Sequence, residues 1–206
     1  MKITKNALKI IVTFTLGVIA FLFIWSVIPT REECEIYNST IRLHVIASSD
    51  SERDQSAKLK VRDAVLEHIS AYEAQSKAHT LSLIESDKNE LVKIAKEALE
   101  KEGIYDTVSL EIGKESYPTR YYEGFSLPAG EYTSVRVVIG EGEGQNWWCV
   151  LFPPLCTAEA IEYDEETYID VGLTKDQYFM ITGTSPEYEI KFKLLEIVSE
   201  AFNLEY

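Results

Sequence analysis

Ile41-Arg-Leu-His-Val-Ile-Ala-Ser-Ser-Asp-Ser-Glu-Arg-Asp-Gln-Ser-Ala-Lys-Leu-Lys-Val-Arg-Asp-Ala-Val65 decides the fold, because the hydrophobic period changes within it. Ile41, Leu43 and Val45 alternate with Arg42 and His44, as a strand with one well-buried face requires. Ala47 to Asp50 ends the alternation, and apolar residues then recur at 57, 61, 64, 65, 69 and 72, a helical spacing. Ser49 followed by Glu52 has capping-box spacing, so the sequence predicts a helix from about 51 to 75.

Downstream, Ile84, Leu91, Ile94, Ala95, Ala98 and Leu99 form a second stripe, with Gly103 placed as a C-cap; a helix over about 80–102 should form a hairpin with the first. After Gly103 the period becomes two: Val108, Leu110 and Ile112, then Val135, Val137 and Ile139, read as strands. Residues 113–131, rich in Gly, Pro and Tyr, read as a long connection, and 140–144 as a flexible turn. Trp147 to Phe152 reads as a strand buried on both faces, stopped by Pro153 and Pro154. Trp147 and Trp148 should then point to opposite faces. The tail from 157 to 185 is acidic and irregular by pattern, and a last amphipathic helix is predicted over about 187–202. The implied class is α+β: an antiparallel or mixed sheet, a helical hairpin on one face and a C-terminal helix.

Upstream, Ile10 to Ile28 contains neither charge nor proline, and 13 of its residues are Ile, Leu, Val or Phe. A helix of that length spans roughly 28 Å, close to the hydrocarbon thickness of a bilayer. Lys2, Lys5 and Lys9 precede it with no acidic residue, so the N-terminus should stay inside and the remainder be exported. The segment reads as a signal peptide or a signal-anchor, and its length favours the anchor. Residues 1–28 are thus set apart from a stalk at 29–39, which limits reach to roughly 36 Å if fully extended. A domain at 40–156 and an acidic extension at 157–206 follow.

Without those three lysines the chain has 17 basic against 34 acidic residues, a formal charge of −17. Such a domain is not a nucleic-acid binder, since phosphate contacts need a basic surface. Gly140, Gly142 and Gly144 alternate with Glu141 and Glu143, which would repel phosphate, and the spacing matches no calcium loop. Asp50, Glu52 and Asp54 cluster where a helix begins, which suits the helix dipole better than acid–base chemistry. Arg42 and His44 share one strand face, where packing at a sheet surface is the default. Cys149 and Cys156 are close enough in sequence to bridge outside the cytosol, or to stay as two small buried residues. Cys149 with His44 as base is the thiol-hydrolase alternative, and it lacks an orienting third group. No metal-ligand or nucleophile-elbow motif occurs, and no cofactor or catalytic residue is implied.

Together with the opening stretch, Leu127-Pro-Ala-Gly-Glu-Tyr132 and Arg136-Val-Val-Ile-Gly-Glu-Gly-Glu-Gly-Gln-Asn-Trp-Trp-Cys-Val-Leu-Phe-Pro-Pro-Leu-Cys156 resemble the stage II sporulation protein R family. The resemblance covers about residues 40 to 156. It implies a signalling protein of endospore formers, exported from the forespore into the space between forespore and mother cell. Its implied partner is a membrane-embedded aspartic protease of the mother-cell membrane, which on activation processes an inactive sigma-factor precursor. Arg42, His44, Asp50, Asp54, Arg136, Glu141, Asn146, Trp147 and Trp148 fall in the matching blocks and are the candidate partner-binding residues. A cell-wall hydrolase or a wall-binding module is the rival class.

Overall fold

In the computed structural model, residues 5–28, 30–72, 76–122, 124–155, 165–170 and 172–183 are described. The apolar segment is a single helix, α1 (Lys5–Val27), with Ile10, Phe14 and Trp25 exposed. It is long and apolar enough to cross a membrane, as a signal sequence also would be.

The expected stalk is a helix. Thr30 caps α2 (Arg31–Ser39) with a full capping box: its side chain accepts from the Glu33 backbone N–H, and Glu33 Oε2 accepts from the Thr30 N–H at 2.6 Å. α2 is docked. Ile36 is fully buried, the Tyr37 hydroxyl donates to the Ala129 carbonyl at 2.8 Å, and Lys77 Nζ donates to the Asn38 carbonyl at 2.8 Å. Gly130 lies under the Tyr37 ring, which a Cβ there would meet at 2.5 Å. With one core residue among Arg31, Glu32, Glu33 and Glu35, α2 is too polar to announce itself by periodicity. Since α2 begins a few residues after α1 ends, the predicted reach of a flexible stalk does not exist. Ile36→Ala is expected to cost about 2–4 kcal/mol, measured as a shift in the urea midpoint. A free stalk would register no change.

β1 (Ile41–Ile46) follows, then α3 (Glu52–Ser70), α4 (Lys77–Ser86) and α5 (Lys88–Lys101). The N-cap of α3 is Ser51, whose side chain accepts from the Asp54 N–H, instead of the expected Ser49. The predicted second helix is broken at Asp87, which ends α4 and starts α5. His68 Nε2 and the Tyr72 hydroxyl both meet Asp87 Oδ2 at 3.1 Å, so the break is tied to α3.

β2 (Val108–Tyr117) runs well past the expected strand, and within the expected connection a small hairpin forms from β3 (Arg120–Tyr122) and β4 (Phe125–Leu127). β5 (Gly130–Ile139) returns antiparallel to β2 over its whole length, from Val108↔Ile139 to Tyr117↔Gly130. β6 (Asn146–Phe152) completes a four-stranded mixed sheet of order β2-β5-β1-β6, in which only β1 and β5 are parallel. A bulge between Ile41 and Arg42 marks the end of the β1–β6 pairing.

Alternation gives each face its own core. Leu43, Val45, Val135, Val137 and Leu151 pack under α3, α4 and α5 through Val61, Val65, Ile84, Leu91 and Leu99. The opposite face carries a second cluster of Ile36, Tyr117, Leu127, Tyr132 and Val150. It is closed by α2, the β3–β4 hairpin, α6 (Glu165–Asp170) and α7 (Lys175–Ile181), which supply Tyr168, Met180 and Ile181. The tail is therefore not irregular where it is described. The predicted helix at 187–202 lies outside the described residues.

Candidate interaction site

Arg42 and His44 point away from α3–α5, as alternation demands, but they are not at a surface. Arg42 is fully buried and His44 is 4% exposed. The second layer covers them. The Arg42 guanidinium lies 4.3 Å from the centre of the Tyr117 ring, 4.9 Å from Tyr132 and 5.8 Å from Tyr122. Its Nη2 donates to the Tyr122 hydroxyl at 2.6 Å and its Nε to the Cys149 carbonyl at 3.2 Å, while Nη1 is buried without an acceptor among the described residues. Among the described residues no carboxylate pairs with it; aromatic faces take the place of a counter-ion.

His44 is held on both sides. Nδ1 meets Glu115 Oε1 at 2.9 Å and Nε2 meets Asn146 Oδ1 at 2.8 Å. The carboxylate can only accept, so Nδ1 carries a proton. Glu115 Oε2 accepts from Ser134 Oγ at 2.7 Å, and that hydroxyl also meets the Tyr117 hydroxyl at 2.7 Å. Trp148 stacks on the imidazole at 3.9 Å and 14°, with Tyr117 edge-on to the indole at 4.8 Å. The Arg120 guanidinium lies 4.9 Å from the Trp148 ring. His44 already covers one face of the indole, leaving Arg120 the other.

Burial drives the Tyr117, Tyr122 and Tyr132 phenols above their ordinary value of 10.0, with the Arg42 charge opposing the rise in each. Below pH 10 these phenols are neutral folded or unfolded, so their contribution is fully present. Above it the unfolded chain ionises first and stability falls. Lys77 acts in the opposite sense, since burial lowers its ammonium to about 8. Stability should therefore rise from about pH 8 towards pH 10 and then fall. Denaturation midpoints across that range test this, and Lys77→Met should reduce the rise, leaving the part due to Lys58, whose ammonium burial also lowers.

At the other end of β1 the glycine-rich loop is pinned, not flexible. Gly144 N–H donates to the Ala47 carbonyl at 2.9 Å, and Gln145 N–H to Asp50 Oδ1 at 2.8 Å. Lys58, 4% exposed, donates to the Gln145 carbonyl at 2.8 Å and to Gln55 Oε1 at 2.6 Å. Asp54 Oδ2 accepts from Ser49 Oγ at 2.5 Å. Asp50 and Asp54 thus clasp a loop to a helix start.

Of the nine candidate residues, Arg42, His44, Asn146 and Trp148 converge on one face of the sheet. Arg136, beside His44 in the β1–β5 register, forms an ion pair with Glu111. Trp147 faces the opposite core, with the Arg62 guanidinium 4.6 Å from its ring. Glu141 is exposed on the loop. Cys149 is disulfide-bonded and lies among the α3–α5 core residues, on the face opposite His44. Side chains on opposite faces of one sheet cannot share a proton, so the expected alternative of a Cys149–His44 couple is geometrically excluded. Cys34 is a free, exposed thiol, and Cys156 lies outside the described residues. Among the described residues no cluster of His, Cys, Asp or Glu could hold a metal ion.

Sequence reasoning missed Glu115, Tyr117, Arg120, Tyr122, Tyr132, Ser134 and Lys58. All but Tyr132, Ser134 and Lys58 lie after Ile112 and before Phe125, in the stretch read as a connection. The only signal there was the density of tyrosines around a strand arginine that needed partners.

These features define an α+β domain, preceded by an apolar helix compatible with a signal sequence or membrane anchor, whose chemistry-bearing residues are engaged with one another. The model of the stage II sporulation protein R family matches residues 37–162, and the chain belongs to that family, with a role in sporulation. Stage II sporulation protein R of Bacillus subtilis (strain 168) is 35% identical over 187 residues, covering 82% of this chain and 84% of that protein. No solved structure matches.

Proposed function

We propose that the chain is an exported signal of sporulation that activates a membrane-embedded aspartic protease in the mother-cell membrane, leading to processing of an inactive sigma-factor precursor. It acts as a protein ligand, not an enzyme. The observation that carries this is the fate of the reactive side chains. His44 is spent between Glu115 and Asn146, Arg42 within a tyrosine cage, and Cys149 in a disulfide. We pair that disulfide with Cys156. The apolar α1 preceded by lysines supports export from the forespore, and an acidic domain suits a cationic receptor surface.

Activation would follow from binding the active arrangement of the protease more tightly than the inactive one; a tenfold shift needs about 1.4 kcal/mol of differential affinity. Because α2 belongs to the folded domain, an uncleaved α1 would hold the domain close to the sending membrane. Co-expressing protease and precursor in a non-sporulating host, with and without this chain, tests the reading. Precursor cleavage that depends on the chain supports it, and equal cleavage in both hosts would sink it.

A further inference from the structure

Among the described residues strand β2 is an edge, paired only with β5. Ser109, Glu111, Gly113, Lys114 and Ser116 are exposed along it. Every second residue of β2 turns its N–H and C=O away from β5, and that row of donors and acceptors is a template for another strand.

Gly113 sits at its middle, and among the described residues nothing requires glycine there. Its φ is not in the left-handed region, and an added Cβ would meet nothing within 4 Å. A glycine inside a strand weakens it and marks places where another backbone comes close. Among the described residues no backbone makes that approach, and an added strand would.

We propose that β2 receives an extended segment of the partner protein as an added strand, with a lysine or arginine of that segment lying over Gly113. Glu111 and Glu115 flank Gly113 on the same face, as strand alternation requires. Glu111 gives Oε2 to Arg136, and its Oε1 accepts nothing among the described residues while the side chain stays 57% exposed. Glu115 is already committed to His44 and Ser134. The long basic side chain therefore finds Glu111 as its carboxylate and the missing Cβ as its room. A second copy of this chain fits less well. A two-fold pairing of β2 with itself centred on Gly113 sets Glu111 of each copy against Glu115 of the other, and like charges directly opposite destabilise a pair.

This inference names the docking mode behind the proposed function and rests on that reading. Two arms keep their failures apart. In the first, backbone amide exchange of the full chain is followed with and without a ten-residue peptide of alternating lysine and valine. Amides of β2 should slow at least tenfold with the peptide, and Gly113→Val, which has room to fold and better strand propensity, should abolish the slowing without lowering the thermal midpoint. Slowing elsewhere, or in neither variant, overturns the added strand. Slowing without peptide that grows with protein concentration makes a second copy the occupant and also overturns it. In the second arm, Gly113→Val should reduce chain-dependent precursor cleavage at least tenfold. Undiminished cleavage overturns the inference and leaves the proposed function standing, whereas no cleavage with the unaltered chain counts against the function alone.

Discussion

Arg42→Ala is expected to destabilise the domain by about 3–4 kcal/mol, because it empties a packed site and strips hydrogen bonds and aromatic contacts from one buried cation. The guanidinium binds the hairpin through Tyr122, β6 through the Cys149 carbonyl, and β2 and β5 through Tyr117 and Tyr132. Four segments lose one tie. Against this, among the described residues the buried Arg42 charge has no carboxylate and its Nη1 no acceptor, so part of its attraction is already offset by desolvation. Arg42→Met separates the two terms by keeping volume without charge, and its loss should be about 1–2 kcal/mol. Because the Arg42 charge lowers the Tyr122 phenol, both variants should also shift tyrosine ionisation upward, read as phenolate absorbance in an alkaline titration.

Gly144→Ala is the second large effect, about 2–3 kcal/mol, because the added methyl meets backbone that cannot swing aside. A Cβ at Gly144 would stand 2.3 Å from the Ser49 carbonyl oxygen and 2.9 Å from the Ala47 Cβ. Relieving that clash lifts the loop from Ala47. Gln145 then loses Asp50, Lys58 loses its carbonyl acceptor, and Asn146 is no longer held at His44. Urea denaturation with an unchanged slope measures the loss; a flexible turn would have tolerated alanine within about 0.5 kcal/mol. Glu141→Ala, exposed on the same loop, is the matched control and should leave the midpoint where it is.

Much of the α3–α5 side of the sheet was legible from sequence. Ile41, Leu43 and Val45 alternate, the stripes at 57–72 and 84–99 have helical period, and Trp147 and Trp148 do face opposite cores. These are local patterns, and local patterns encode which face is wet. The second layer was not legible because it is built from distant fragments with little periodicity. Ile36 comes from α2, Tyr117 and Phe125 from a turn-rich stretch, and Tyr168, Met180 and Ile181 from an acidic tail. Each fragment offers one to three core residues, too few to set a period. By sequence Arg42 and His44 read as packing at a sheet surface, with partner binding as the further candidate role, and both are buried. Their burial could not be inferred without knowing that a second layer existed, and the aromatic acceptors lay 75 to 90 residues away.

The sheet and its two cores explain why the residues of the matching blocks are what they are. They build a body with two packed cores, and the proposal is that its β2 edge receives the partner. The central proposal is that this body activates a protease by binding to it. Its most direct test mixes the purified chain with membranes containing the aspartic protease and its sigma-factor precursor, measuring binding and cleavage together. Saturable binding with precursor cleavage that rises in step with occupancy is the expected result. A folded chain that neither binds those membranes nor changes the cleavage rate would contradict it.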